Sequence, residues 1–370
     1  MGQPFKGLGL ALVFAGSVQA VASEEPLEFR AHPFLTFDTG TSLTADIELA
    51  DVDGDGDLDA FAANGRHWAQ QDYVFFNAGN GRMLEAGRIG ETLSASYKLC
   101  PGDFDRDGDI DAVVIRDSLP AQLYLNDGLG TFSLAQALPG TGGHARSAAA
   151  ADVDGDGWLD VVIARRRGAD LIVYGNGAAS FLPAEPLPDD GEGSTHIVIA
   201  DIDADDRKDL VVARRNGQAS VVMKNLGERE FEVTKLPGSQ GDHRKAVVAD
   251  VNGDGSPEVI LVSTEGLHPV YRYHSRDGFE LAASFGERGR TVQAMAAADL
   301  DGDGDVDLVE GSETANRVFL NRGDGVFGPM DLPGDPADTY GVALGDMNGD
   351  GRVDIVFANS EAENVLLIAR

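Results

Sequence analysis

One cysteine, Cys100, stands in 370 residues, so no disulfide can form within the chain and the fold must be held without covalent cross-links. Aromatic residues are few, at 7 %, and no sustained helical periodicity occurs; with 47 glycines, this composition is that of a β protein. Positive charge is scarce as well. Lys and Arg number 29 against 62 Asp and Glu, and the net charge of −33 has the wrong sign for an affinity dominated by nucleic-acid phosphate. No nucleophile elbow and no Ser/His/Asp signature is present, which removes the common hydrolase classes.

The only apolar run of note is at the start. Lys6, the run Leu8 to Val18, and small residues before Ala20 and Ala22 have the layout of a secretory leader, with cleavage expected after Ala20 or Ala22. The run is short for a bilayer span and no second one follows, so the expected product is an exported chain without a membrane span, in the periplasm, at the cell surface or secreted. Residues 1–22 are thus read as a signal peptide and 23–370 as one domain.

What the chain has in abundance is one nonapeptide. DVDGDGDLD at 51–59 recurs as DFDRDGDID (103–111), DVDGDGWLD (152–160), DIDADDRKD (201–209), DVNGDGSPE (250–258), DLDGDGDVD (299–307) and DMNGDGRVD (346–354). The first residues lie 52, 49, 49, 49, 49 and 47 apart, so one structural unit has been copied seven times. Position 1 is Asp51, Asp103, Asp152, Asp201, Asp250, Asp299 and Asp346; position 3 is Asp53, Asp105, Asp154, Asp203, Asn252, Asp301 and Asn348. Position 5 is Asp55, Asp107, Asp156, Asp205, Asp254, Asp303 and Asp350; position 9 is Asp59, Asp111, Asp160, Asp209, Glu258, Asp307 and Asp354. These are hard oxygen donors of the kind Ca²⁺ takes. Position 7 is Asp57, Asp109, Trp158, Arg207, Ser256, Asp305 and Arg352, an indifference to side chain that predicts a backbone carbonyl facing the ion.

Up to seven Ca²⁺ sites are expected, with copies one, two, three and six the strongest and copy four, where Asp206 replaces the position-6 glycine, weak or empty. An EF-hand is excluded, because no glutamate stands at position 12 and the loops lead into β-branched runs such as DVVIA (160–164). The loops hold 30 of the 62 acids, so the acidity is mostly ligand charge. Without the ions the fold should suffer self-repulsion, and ion binding and folding are expected to be coupled.

Each unit reads as four short strands, a to d, with the nonapeptide between a and b. In the third unit these are Arg146–Ala151, Leu159–Ala164, Leu171–Tyr174 and a piece near Phe181–Pro186, and Asn-x-Gly turns such as NDGLGTF (126–132) join c to d in several units. The fold class expected is all-β, a seven-bladed propeller of four-stranded antiparallel blades. The seventh unit stops after strand c, so the segment Leu27–Phe37 is expected to supply its outer strand.

This combination of apolar strand, D-x-D-x-D-G-x-x-D loop, β-branched strand and N-x-G-x-G-x-F turn resembles the FG-GAP (VCBS) repeat of integrin α-subunit propellers and many exported bacterial proteins. The resemblance covers nearly the whole chain beyond the leader. It implies a calcium-bearing propeller that is a scaffold rather than an activity. It also implies that the calcium loops lie on one face and that ligands meet the other.

On that other face, six residues before each loop stand Ala45, Tyr97, Arg146, Thr195, Arg244, Gln293 and Tyr340, followed by Asp46, Lys98, Ser147, His196, Lys245, Ala294 and Gly341. Arg116, Arg165-Arg166-Arg167 and Arg214-Arg215 end the b strands. A basic rim on so acidic a chain predicts an anionic or polyhydroxylated ligand, held by Tyr97, Lys98, Arg146, Arg166, His196, Arg214, Arg244 and Tyr340. His144, His196 and His243 recur near the starts of strands a, a placing typical of hydrogen-bonding loop residues. Arg322-Gly323-Asp324 is explained by its turn. The expected function is a monomeric, non-catalytic binding or adhesion module for a glycan or protein partner. The alternative, from the similarity to seven-bladed polysaccharide lyases, is elimination on uronate-containing polymers by His196, His243, Arg244, Arg146 and Tyr340.

Overall fold

The computed structural model describes residues 27–189, 191–334 and 336–370; the expected leader, 1–22, lies outside them. Blade one has strand a at Thr44–Ala50, b at Asp59–Asn64, c at Tyr73–Asn77 and d at Met83–Arg88. Blade two runs Ser96–Gly102, Asp111–Arg116, Gln122–Asn126 and Phe132–Ala137, and blade three Ala145–Ala151, Asp160–Arg165, Leu171–Val173 and Glu185–Pro186. Blade four has Ser194–Ala200, Asp209–Arg214, Val221–Gly227 and Glu230–Lys235; blade five has His243–Ala249, Glu258–Ser263, Leu267–His274 and Gly278–Gly286. Blade six has Val292–Ala298, Asp307–Ser312, Arg317–Asn321 and Phe327–Asp331; blade seven has a at Asp338–Gly345, b at Asp354–Ser360 and c at Asn364–Ala369.

In every blade the strands pair antiparallel in the order a-b-c-d. The outer strand of blade seven comes from the N-terminal segment, as expected: Phe29–Arg30 and Thr36–Phe37 both pair antiparallel with Asn364–Ala369, joined by a short 3-10 turn at Pro33–Leu35. No described helix is long and apolar enough to cross a membrane.

The b strands are buried on both faces, which is why they read as unbroken β-branched runs. Their side chains fill seven apolar clusters, each lying between two neighbouring blades: Ile115 and Ile163 between blades two and three, Val212 and Ile172 between three and four, Leu366 and Phe75 across the closing seam. The core is therefore a ring of seams, and the alanines at the loop-side ends of strands a, such as Ala148 to Ala151, keep those strands close where they converge.

The Asn of the Asn-x-Gly turn does more than turn the chain. Asn126 Nδ2 donates to Val52 O in the preceding blade (2.7 Å), its Oδ1 accepts from Gly130 N (3.0 Å), and its own N–H donates to Asp111 Oδ1 (3.0 Å). Asn77, Asn225 and Asn321 repeat this staple onto Met347 O, Val153 O and Val251 O at 2.7–2.8 Å. Asn126→Ala leaves buried backbone groups without partners at a seam and is expected to lower stability by about 1–3 kcal/mol, read from the midpoint of urea unfolding.

Candidate functional site

Two regions carry the candidate chemistry, one at each end of the ring. The first is the set of a–b loops. The position-1 carboxylate accepts from the backbone N–H groups of positions 4 and 6, as Asp51 does from Gly54 N (2.9 Å) and Gly56 N (3.1 Å). Position 6 sits at φ between +84° and +101° in its six glycines, and Asp206 adopts φ +67° in copy four. Position 9 turns inward: Asp59 is buried and accepts from Val52 N (3.0 Å) and Asn77 N (2.8 Å), tying each loop to strand c. Burial pushes Asp59, Asp111, Asp307 and Asp354 up to about 6 and Asp160 up to about 7, despite these hydrogen bonds. A cation bound beside such a carboxylate would favour its ionised form and bring it back down.

Positions 1, 3 and 9 of copies one to four, and positions 1, 3 and 5 of copy six, bring one carboxylate oxygen each within 4.8 Å of one another, so these clusters could hold a metal ion. Asp103 Oδ1 and Asp203 Oδ1 are buried without a partner, which fits an oxygen-seeking cation in those loops. Copy four, expected to be the weakest, thus still assembles its three carboxylates. Its carboxylates, like those of copies three and five, are already met by a basic side chain. Lys224 Nζ reaches Asp203 Oδ2 at 2.6 Å, and Arg207 pairs with Asp205. In copy three Arg229 binds Asp154 Oδ2 through both Nε (2.9 Å) and Nη2 (2.7 Å), its guanidinium lying over Tyr174. In copy five Arg272 Nε lies 3.2 Å from Glu258 Oε1, which Asn252 Nδ2 also binds. Among the described residues, copies one, two, six and seven have no such internal cation.

The second region is the opposite mouth. Every strand a carries a β-bulge at the residue six before its loop; the pairing jumps from Ser96 to Lys98 and from Val292 to Ala294, for example. A bulge re-aims a side chain without ending the ladder. All seven bulged residues named above line one cavity of about 170 Å³, together with Arg66, His67, Arg166 and Arg215. Arg66 and His67 come from the b–c turn of blade one, and nothing in the repeat pattern marked them.

Five guanidinium groups therefore face this cavity. Arg146 pairs with Asp117 (3.0 Å) and covers the Tyr97 ring at 4.2 Å; Arg66 lies 3.9 Å from Asp338 and covers Tyr340 at 3.5 Å. Arg166, Arg215 and Arg244 have no carboxylate at ion-pair distance among the described residues, and Arg244 Nε is buried without a partner. Burial and the neighbouring Arg215 hold the Arg244 guanidinium below its usual value. Tyr97 Oη meets His67 Nδ1 at 2.8 Å, and burial together with Arg66 and Arg146 pushes His67 down, toward the neutral ring.

Four of the residues expected at the mouth lie elsewhere. Lys98 sits one residue farther along its strand, bound to Asp46 (2.5 Å) and to Glu48, and Lys245 from blade five reaches the same Asp46 at 2.6 Å. This pairing across the axis closes the channel beneath the mouth. His196 lies beside it with Nδ1 accepting from Ala246 N (3.3 Å), and burial plus Lys245 and Lys98 push it well below its ordinary value. Arg214 is 2 % exposed and bound to Asp189, in the connection from blade three to blade four, with Asp170 of blade three at 3.8 Å. His243 is buried, its Nδ1 3.4 Å from Ser220 Oγ. Lys98, His196 and His243 flank the bulged residues of their strands a and turn from the cavity into the sheet or the channel, while Arg214, on strand b, is drawn away by its carboxylate partners. A larger, open groove of about 790 Å³ follows the closing seam near Phe34, Arg82 and Arg352; it lacks the enclosure of the mouth.

A family model described as an FG-GAP-like repeat matches residues 51–114, 103–163, 152–212, 201–261, 250–310 and 299–357. No curated protein matches the sequence. Among solved structures, a complex of BBS1N with ARL6DN superposes with a TM-score of 0.61 at 14 % identity over 90 % of this chain and 94 % of that one. A lectin of Agrocybe aegerita, solved for its recognition of non-reducing terminal N-acetylglucosamine, superposes at 0.59 with 22 % identity over 86 % of each chain. At these identities the likeness is one of fold.

Proposed function

Because this chain belongs to the FG-GAP-like repeat family, whose propeller is a scaffold for grafted sites, we propose that it is an exported, calcium-stabilised binding module that holds an anionic glycan or protein partner at the arginine-rich mouth. The observation that carries the reading is the cavity itself: three guanidinium groups without carboxylate partners, gathered at one end of a molecule of net charge −33. Mutual repulsion and burial of these like charges cost stability that an anionic ligand would recover. Ca²⁺ is the ion assigned to the opposite loops, since all their donors are hard oxygens, and its millimolar level outside cells suits sites on a chain whose residues 1–22 read as a leader to be removed. The lectin's recognition of a terminal sugar supports a glycan over a protein as the partner.

The test is a glycan array and a pull-down with the calcium-loaded protein. Acidic glycans should be retained, and Arg244→Gln should reduce retention at least about tenfold. Retention of neutral and acidic glycans alike would end the proposal. A second reading, elimination on uronate-containing polymers, draws on the Tyr97–His67 pair beside Arg146. Of the residues expected for that chemistry, Arg146, Arg244 and Tyr340 line the cavity and His196 and His243 do not. Release of unsaturated product, seen as rising ultraviolet absorbance and lost in His67→Ala, would favour it.

A further inference from the structure

Three features of the mouth limit what can enter it. It is a blind cavity: Asp46 joins Lys98 of blade two and Lys245 of blade five directly beneath, so nothing can thread the axis. It is small, about 170 Å³, below the roughly 300–1,000 Å³ of drug-sized pockets and suited to one monosaccharide unit. Its polar groups are also of two kinds. Beside the three unpaired arginines lies Gln293, 5 % exposed, whose Nε2 donates to Glu313 Oε1 (2.9 Å) and whose Oε1 is buried with no partner. The arginines call for an acid group, and an unsatisfied buried acceptor calls for a hydroxyl or N–H donor on the same ligand. A bare oxyanion satisfies the first demand and not the second.

Resting on the binding reading above, we propose that the mouth seats a single hydroxylated acid unit at a chain end or branch tip of an acidic glycan, its carboxylate among Arg166, Arg215 and Arg244 and one of its hydroxyl groups donating to Gln293 Oε1. Recognition is of an end and not of a stretch of polymer. The Arg146–Tyr97 and Arg66–Tyr340 stacks form the flanking walls, and Trp68, 72 % exposed on the turn that supplies Arg66 and His67, stands outside as a surface for the next unit.

The test is calorimetric titration of the full calcium-loaded protein with glucuronate, galacturonate, glucose and inorganic sulfate. At least one uronate monosaccharide should bind one-to-one and at least about tenfold more tightly than glucose. Arg215→Gln and Arg244→Gln should each weaken it at least about tenfold. Gln293→Leu should weaken the uronate while leaving sulfate unchanged, and Arg167→Gln, outside the cavity, should change neither. Unaltered thermal midpoints in calcium show that the variants are folded; should Gln293→Leu misfold, Gln293→Met replaces it. Sulfate binding as tightly as the uronate, with Gln293→Leu without effect, would assign the cavity to bare oxyanions and overturn the proposal. Binding of oligo-uronides with no competition from monosaccharides would overturn it too, while leaving the binding-module reading standing. Equal binding of uronates and glucose, or binding of no acidic saccharide whether monomer or oligomer, would sink both.

Discussion

Chelation of Ca²⁺ is expected to unfold this protein at ordinary temperatures. A site held at 100 times its dissociation constant adds about 2.7 kcal/mol, and four such sites amount to about 11 kcal/mol. That is the size of a whole domain's stability, about 5–15 kcal/mol. Four copies, one, two, six and seven, have no cation against their carboxylates among the described residues and are expected to fill most tightly, because Arg229, Lys224 and Arg272 stand against copies three, four and five. This lowers copy three and raises copy seven relative to the ranking read from the loop residues alone. Metal analysis after dialysis at the Ca²⁺ concentration that gives this stabilisation should therefore return about four tightly held ions per chain. Asp51→Ala should lower stability in calcium by about 2–3 kcal/mol and have little effect in chelator. Lys224→Met should raise the count toward five by clearing Asp203. Identical thermal midpoints in calcium and in chelator would refute the assignment.

The second large effect lies at the axis. Asp46 is buried between two lysines, and although burial would raise its carboxyl, Lys245 and Lys98 hold it well below the usual range. Glu48 shares Lys98, but among the described residues Lys245 has only Asp46. Asp46→Ala thus strands a partly buried ammonium group, and a loss of about 2–3 kcal/mol is expected, below the about 3–5 kcal/mol of a fully buried pair. Adding Lys245→Met should recover most of it, because removing both members of a buried pair costs far less than removing one. The pH dependence has a defined sign. A carboxyl lowered in the folded state contributes stability that is present above its unfolded value near 3.8 and lost as pH falls through its lower folded value. Wild type and Asp46→Ala should therefore differ most in urea midpoint above pH 4 and converge on strong acidification.

The ring was legible because its information is periodic. Seven loops at near-constant spacing, β-branched runs after each and Asn-x-Gly turns each name a local structure, and all point to one blade. The mouth was legible for the same reason: counting six residues back from each loop found all seven bulged positions. What periodicity could not give is the reach of long side chains outside the repeated positions. Arg229 enters the a–b loop of the preceding blade, Lys224 and Arg272 enter their own blades' loops from strand c, and Arg66 and His67 reach the mouth from a turn that varies between units. The bulge misled as well as guided. It sends one residue of each strand to the cavity and leaves the next, Lys98 or His196, facing the channel below, a division that a two-residue alternation does not predict.

That bulge has a bearing on how such a molecule changes its preferences. The hydrogen-bonded ladder resumes at once on the far side of each irregularity, so the rim side chains lie outside the strand pairing, although Thr195 Oγ1 reaches His243 O of the next blade at 2.7 Å. A new residue at a place without such a tie alters what is grasped while the ladders stay intact. Specificity can then drift one spoke at a time, with each intermediate still a sound protein.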